Sequence, residues 1–220
     1  MVDAATTATR KMSIKREVKE TNGLYFFTFT NLCWLHLFEM THSYDAVYKW
    51  FDYLKMKGHF ITGYVIMPNH LHGLVGFSNT SKSINRIIGD GKRFLSYEIV
   101  ERLHSRKEYG ILKQLSGAVR PSDRRRGKLH EVFEDSFDIK ECFSEKFILQ
   151  KLAYIHDNPC KGKWNLASCP EEYVHSSAKF YTTGRQGIYP VTNVGALKDL
   201  DLTRAFHFAA ESPTGDSAAT

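Results

Sequence analysis

The chain has no apolar run long enough to cross a bilayer, so a membrane-spanning helix is excluded. Residues 1–11 are small and polar, without the apolar core of a secretory signal, and read as a disordered leader. Cysteine is scarce: Cys33, Cys142, Cys160 and Cys169 form no CxxC pair, which removes the basis for a zinc finger. Free thiols in a reducing cytoplasm are the expectation, with no membrane partner. Six prolines and 15 glycines without a fixed period exclude collagen, and 42% hydrophobic residues exclude wholesale disorder. The 220 residues suffice for one domain, expected over residues 12–190, with a poorly ordered tail over 191–220.

Positive charge is present and uneven. The chain carries a formal +6, yet residues 92–128 alone hold eleven cations against four anions. Such a stripe suits a polyphosphate partner or, equally, a solvated helix face followed by a basic loop.

Hydrophobic periodicity orders the elements. Residues 24–30 are aromatic and β-branched, a first strand. Residues 44–57 have helical spacing and stop at Gly58. Strands follow over 59–67 and 70–77, hinged at Pro68-Asn69. Ser81 or Ser83 caps a helix over 84–103 that Gly89 and Gly91 weaken. Phe94, Tyr97 and Tyr109 could stack on bases, but read first as core aromatics. Residues 116–128, near the centre of a basic segment at 116–130, read as a mobile loop, and 132–139 as an edge strand. A last helix runs over 144–156 and ends at Asn158-Pro159. This order predicts an α+β fold: a ferredoxin-like β-α-β-β-α-β antiparallel sheet with helices on one face, plus a C-terminal helix and tail.

Two constellations carry chemistry. In an extended strand His70 and His72 share a face and Leu71 takes the other, so two imidazoles project together as half of a metal site. A pair of hydrogen-bonded surface histidines is the plainer alternative. On a helix, Tyr154 and Asn158 are neighbours four residues apart. The phenol is a potential covalent nucleophile and the amide oxygen a hard ligand suited to Mg2+ or Mn2+. Alternatively, Tyr154 is a half-buried aromatic and Asn158 a helix cap.

The run Tyr64-Val65-Ile66-Met67-Pro68-Asn69-His70-Leu71-His72, followed by Tyr154-Ile155-His156-Asp157-Asn158-Pro159, resembles the IS200-like single-tyrosine (HUH) transposases. The likeness is greatest to their REP-associated tyrosine transposase branch. Pro170, Tyr173, Ser176, Ser177, Ala178 and Tyr181 fit that branch's downstream segment, and the resemblance covers about residues 12–190. It implies a metal held by His70, His72 and Asn158, with Tyr154 as nucleophile. It also implies single-stranded or hairpin DNA as substrate, cut and rejoined through a 5′-phosphotyrosine by a monomer or homodimer. Lys92, Arg93, Arg124, Arg125, Arg126, Lys161 and Lys163 are candidate phosphate contacts. Lys151, His156 and the metal are candidates for activating the phenol. The alternative is a domesticated hairpin-DNA-binding protein that keeps the fold without turnover.

Overall fold

Strict alternation in β1 (Gly23–Thr30) sends Tyr25, Phe27 and Phe29 to one face of a sheet and Leu24 and Phe26 to the other. In this computed structural model, which describes residues 18, 20–135, 138–162 and 164–206, β1 pairs with β3 (His70–Phe77). The leader at 1–11 and the tail beyond residue 206 lie outside the described residues. Strand β2 (Phe60–Met67) joins β3 through Pro68-Asn69, and both strands are buried along their whole length. A short β4 (Ile139–Glu141) completes the order β2-β3-β1-β4, in which all neighbours are antiparallel. This is the ferredoxin-like order that the sequence predicts.

The first face is covered by α1 (Leu37–Thr41), α2 (Tyr44–Met56) and α3 (Ile84–Ser105). Trp50, Phe51 and Leu54 of α2, and Ile88, Leu95 and Ile99 of α3, meet Phe27, Phe29, Leu71 and Val75 there. Each such buried side chain contributes roughly 1.5–3 kcal/mol. Helix α3 begins at Ser83, whose hydroxyl accepts from the Arg86 amide at 3.3 Å. Gly91 is a close-approach position and no weak point, because a β-carbon there would overlap the Trp50 indole. Gly89 faces open space.

The opposite face is covered by α6 (Glu145–Asp157), whose Leu152 and Ile155 pack on Leu24, Phe26, Val65, Met67 and Leu74. Ser144 caps it by accepting from the Phe147 amide at 3.3 Å. The sheet is thus helix-covered on both sides, with the C-terminal helix on the side away from α2 and α3. Among the described residues, no helix is long and apolar enough to cross a membrane, and all four cysteines are free.

Three segments differ from their sequence expectation. Inside the basic segment residues 121–125 form a short helix, α5 (Pro121–Arg125), after α4 (Tyr109–Gly117), and Val119 between the two is buried. The edge strand falls at Ile139–Glu141 and not over 132–139. Val132 and Phe133 are buried from a loop in which Phe133 makes only an isolated bridge to Asn31. Residues 191–206 contain a 3-10 turn (Val194–Asp199) whose Leu197 packs against the α6 side of the sheet, with Leu202 and Phe206 beside it.

The free edge of β2 is closed by residues 173–181. Ile66 N donates to His175 O at 2.9 Å and Ser177 N to Tyr64 O at 3.0 Å. The hydroxyls of Tyr173 and Tyr181 donate to Ile66 O and Thr62 O at 2.9 and 2.7 Å. The Pro-Tyr-Ser-Ser-Ala-Tyr segment therefore serves as an edge cover, continued by α7 (Ala178–Thr183).

Candidate active site

Register in the β1–β3 ladder sets Thr28 opposite His72 and Thr30 opposite His70. Alternation sends Leu71 into the α2/α3 core and turns both imidazoles to the face beneath α6, their ring centroids 4.8 Å apart. Phe26 stacks on His72 at 5.5 Å. From α6, the Tyr154 ring stands 5.0 Å from His72 and 6.1 Å from Phe26, and is 49% exposed. One turn later Asn158 ends the helix, and its side chain is hydrogen-bonded to His70. The structure therefore brings His70, His72, Tyr154 and Asn158 together within one chain.

Burial decides the protonation of the histidines. It pushes His70 down to about 4, against the opposing hydrogen bond with Asn158. It holds His72 well below its ordinary value, helped by the repulsion of His70 and Lys151 charge. Both are neutral near pH 7, the form that binds metals. Polar partners meet both Nδ1 atoms from behind. Asn69 Nδ2 donates to Trp34 O at 3.1 Å, which orients Oδ1 to accept the His70 Nδ1 proton at 2.7 Å. His72 Nδ1 lies 2.8 Å from Thr28 Oγ1. With the proton on Nδ1, Nε2 of each ring is the nitrogen that carries a lone pair.

These residues fit a divalent cation. Among the described residues His72 Nε2 is buried without a hydrogen-bond partner, a cost that a ligated ion would remove. No group of three His, Cys, Asp or Glu side chains occurs among the described residues. The set is two imidazoles and the Asn158 amide oxygen, with an open side toward Tyr154. Such mixed donors accept an ion that keeps oxygen ligands.

Lys151, one turn before Tyr154, lies over the Phe26 ring at 4.4 Å and 5.5 Å from the Tyr154 centroid. Burial, reinforced by Lys140, lowers its pKa. His156 is turned away: its Nε2 meets Ser177 Oγ at 2.8 Å and its ring packs 5.2 Å from Tyr181. Of these two neighbours only Lys151 faces the phenol.

The basic candidates are dispersed. Lys92, Arg93 and Arg126 line a cleft of about 840 Å3 along α3, together with Lys128 and Tyr97. Tyr97 is 70% exposed there, not a core residue, and Tyr109 is exposed as well. Lys92 bonds Glu134 O, Arg93 pairs with Asp90 at 3.1 Å, and Arg126 with Asp123. Arg124 bonds Ser116 O, and Arg125 is exposed on α5. This cleft belongs to the helix layer across the sheet from Tyr154. Lys161 pairs with Asp157 at 2.6 Å after α6. Lys163 lies outside the described residues.

Sequence reasoning missed four neighbours of the site. Thr28 and Asn69 orient the histidines, and Trp34 and Trp164 each stand 5.9 Å from His70. Asn69 alone had a signal, its place in the turn next to His70; the others depend on cross-strand and loop placement.

No protein-family profile matches the chain, and no curated protein matches it. Among solved structures, it is similar to a REP-associated tyrosine transposase bound to a REP hairpin. The identity is 14% and the TM-score 0.54, over 90% of this chain and 100% of that chain. A candidate transposase from Deinococcus radiodurans aligns more loosely, at 16% identity and a TM-score of 0.31, over 66% of this chain and 97% of that chain. The likeness carried by two sequence motifs thus extends to three dimensions, and the chain has the fold of a REP-associated tyrosine transposase.

Proposed function

We propose that this chain is a metal-dependent transposase that cleaves and rejoins single-stranded DNA, at hairpin-flanked sites, through a phosphotyrosine on Tyr154. The observation that carries the reading is Tyr154, half exposed and 5.0 Å from the His72 ring, on the same helix as an Asn158 that reaches His70. A phenol in solvent beside two neutral imidazoles and an amide has a use in phosphoryl transfer that a core aromatic would not. The similar transposase was solved with a REP hairpin, which supports hairpin DNA as the substrate class here.

In this reading His70, His72 and Asn158 hold Mg2+ or Mn2+. The ion supplies Lewis-acid polarisation of the scissile phosphate and offsets its developing charge. The Tyr154 oxygen attacks phosphorus in line; the Oη–P bond forms as the P–O3′ bond breaks. The phenol proton passes, directly or through water, to the departing O3′, which leaves as a free 3′-hydroxyl. A free phenol titrates near ~10. Lys151 Nζ, 5.5 Å from the ring centroid, is a cation beside the reacting phenol. The phosphodiester energy is kept in the tyrosyl ester, so a 3′-hydroxyl can reverse the step and join strands without ATP. Asn69 Oδ1 accepts the His70 Nδ1 proton and Thr28 Oγ1 can accept that of His72, the tautomers that turn Nε2 to the ion.

The test is incubation of the full chain with a labelled single-stranded hairpin oligonucleotide and Mn2+. A denaturant-stable protein–DNA adduct is expected, and Tyr154→Phe should abolish it. Specific binding with no adduct would instead indicate a binding protein of this fold. Cleavage that survives Tyr154→Phe would indicate hydrolysis by water.

A further inference from the structure

We propose that Trp34 is a stacking subsite for an unpaired nucleobase of the DNA strand, fixed beside His70 next to the scissile position. The proposal rests on the reading of the substrate as single-stranded DNA. The Trp34 indole is 55% exposed and stands edge-on to the His70 ring at 5.9 Å. Tryptophan has a large apolar surface that folding normally buries. Here the backbone holds it outward. Cys33 and Trp34 are consecutive non-glycine residues with φ of 52° and 59°, in the left-handed region that side chains disfavour.

That conformation is held at every side. The Cys33 amide donates to Glu134 Oε1 at 2.9 Å, and Trp34 N donates to Asn31 O at 3.0 Å. The side chain of the buried Asn31 donates to Leu35 O at 3.1 Å, and Asn69 Nδ2 donates to Trp34 O at 3.1 Å. The last contact gives the arrangement its meaning. The same Asn69 amide accepts the His70 Nδ1 proton. One side chain therefore ties the backbone of the indole to a proposed metal ligand, fixing the distance between them. Trp164 stands at the same distance from His70 and contacts His36 at 5.5 Å, so aromatic surface borders His70 from two elements.

An indole face takes a nucleobase by stacking, tolerates any base, and needs one whose faces are not already stacked in a duplex. The neighbourhood favours a strand over a peptide or small apolar ligand. Glu134, which holds the Cys33 amide, also offers its carbonyl to Lys92 in the basic cleft, so the cleft and the indole meet at one residue. A strand held by those cations on the α3 side of the sheet would pass round Glu134 and bring a base to Trp34.

The test measures binding of a 20-nucleotide oligothymidylate and of a 20-base-pair duplex to the full chain. It uses Tyr154→Phe as the background, so that no cleavage intervenes. In that background Trp34→Ala is expected to weaken oligothymidylate binding by roughly five- to a hundred-fold, with duplex binding unchanged. Trp34→Phe is expected to recover most of the affinity while losing the quenching of tryptophan emission that the oligonucleotide causes. Equal oligothymidylate affinity for Trp34→Ala and its parent overturns the subsite and leaves the DNA reading standing. Equal losses for duplex and single strand overturn it too, because they would indicate general damage. If the parent binds neither nucleic acid, the DNA reading fails and the subsite with it.

Discussion

Replacing Thr28 by valine should damage the site without touching a ligand. Thr28 Oγ1 is the hydrogen-bond partner of His72 Nδ1 among the described residues, at 2.8 Å, on a ring that is 3% exposed. Valine keeps the shape and removes the hydroxyl, so the Nδ1 proton is left buried with nothing to receive it. An unsatisfied buried group of this kind costs about 1–3 kcal/mol. For a chain of this length that is a fall in melting temperature of roughly 2–10 °C. A second effect is separable. With Nδ1–H no longer favoured, the proton can move to Nε2, the atom proposed to bind metal, and Mn2+ affinity should fall about ten- to a hundred-fold. Calorimetric melting and Mn2+ titration of wild type, Thr28→Val and Thr28→Ser measure both terms, and serine should restore both. If Thr28→Val melts lower but binds Mn2+ as wild type does, His72 is a satisfied core histidine and not a ligand. If neither quantity moves, the tautomer argument itself is wrong.

Tyr154→Phe should remove the covalent DNA adduct entirely while changing stability by no more than about 0.5 kcal/mol, as expected for a half-exposed position; a melt and a denaturing gel decide it. Burial lowers His59 and His156 to about 4 from the ordinary 6.5. Between those values the unfolded chain binds more protons, so stability should be full above 6.5 and fall as pH drops toward 4. Melting curves across that range should show the slope, and His59→Phe should reduce it by a share worth on the order of 3 kcal/mol in total. Within α3, Gly89→Ala should stabilise by up to about 1 kcal/mol. Gly91→Ala should destabilise by about 1–3 kcal/mol through overlap with Trp50; paired denaturant titrations test the contrast.

Much of the sheet was legible because residues 24–30, 59–67 and 70–77 are aromatic, β-branched or apolar runs bounded by turn residues. The helix carrying Tyr154 was legible from its Ser144 cap and Pro159 stop. The short helix at 121–125 within the basic segment was not: Arg, Gly and Pro signal a loop locally, while Val119 just before it is buried. Residues 132–139 misled for a related reason, since Val132 and Phe133 are buried side chains without a strand ladder. In the site, spacing alone paired His70 with His72 and Tyr154 with Asn158. Thr28 could not be found that way, because its meeting with His72 depends on the β1–β3 register. Nor could Trp34, which depends on two left-handed backbone positions that no local propensity favours.

The cover over β2 has a consequence for how copies of this chain treat one another. A bare outer strand offers its amides and carbonyls to any similar strand, the usual start of sheet-to-sheet aggregation. Here residues 173–181 occupy that edge of the sheet with backbone and tyrosine hydroxyls. The other edge, β4, is three residues long and carries Lys140 and Glu141. Little unpaired backbone remains for strand-by-strand self-association. Contact between copies by continuing the sheet is therefore disfavoured at both of its edges.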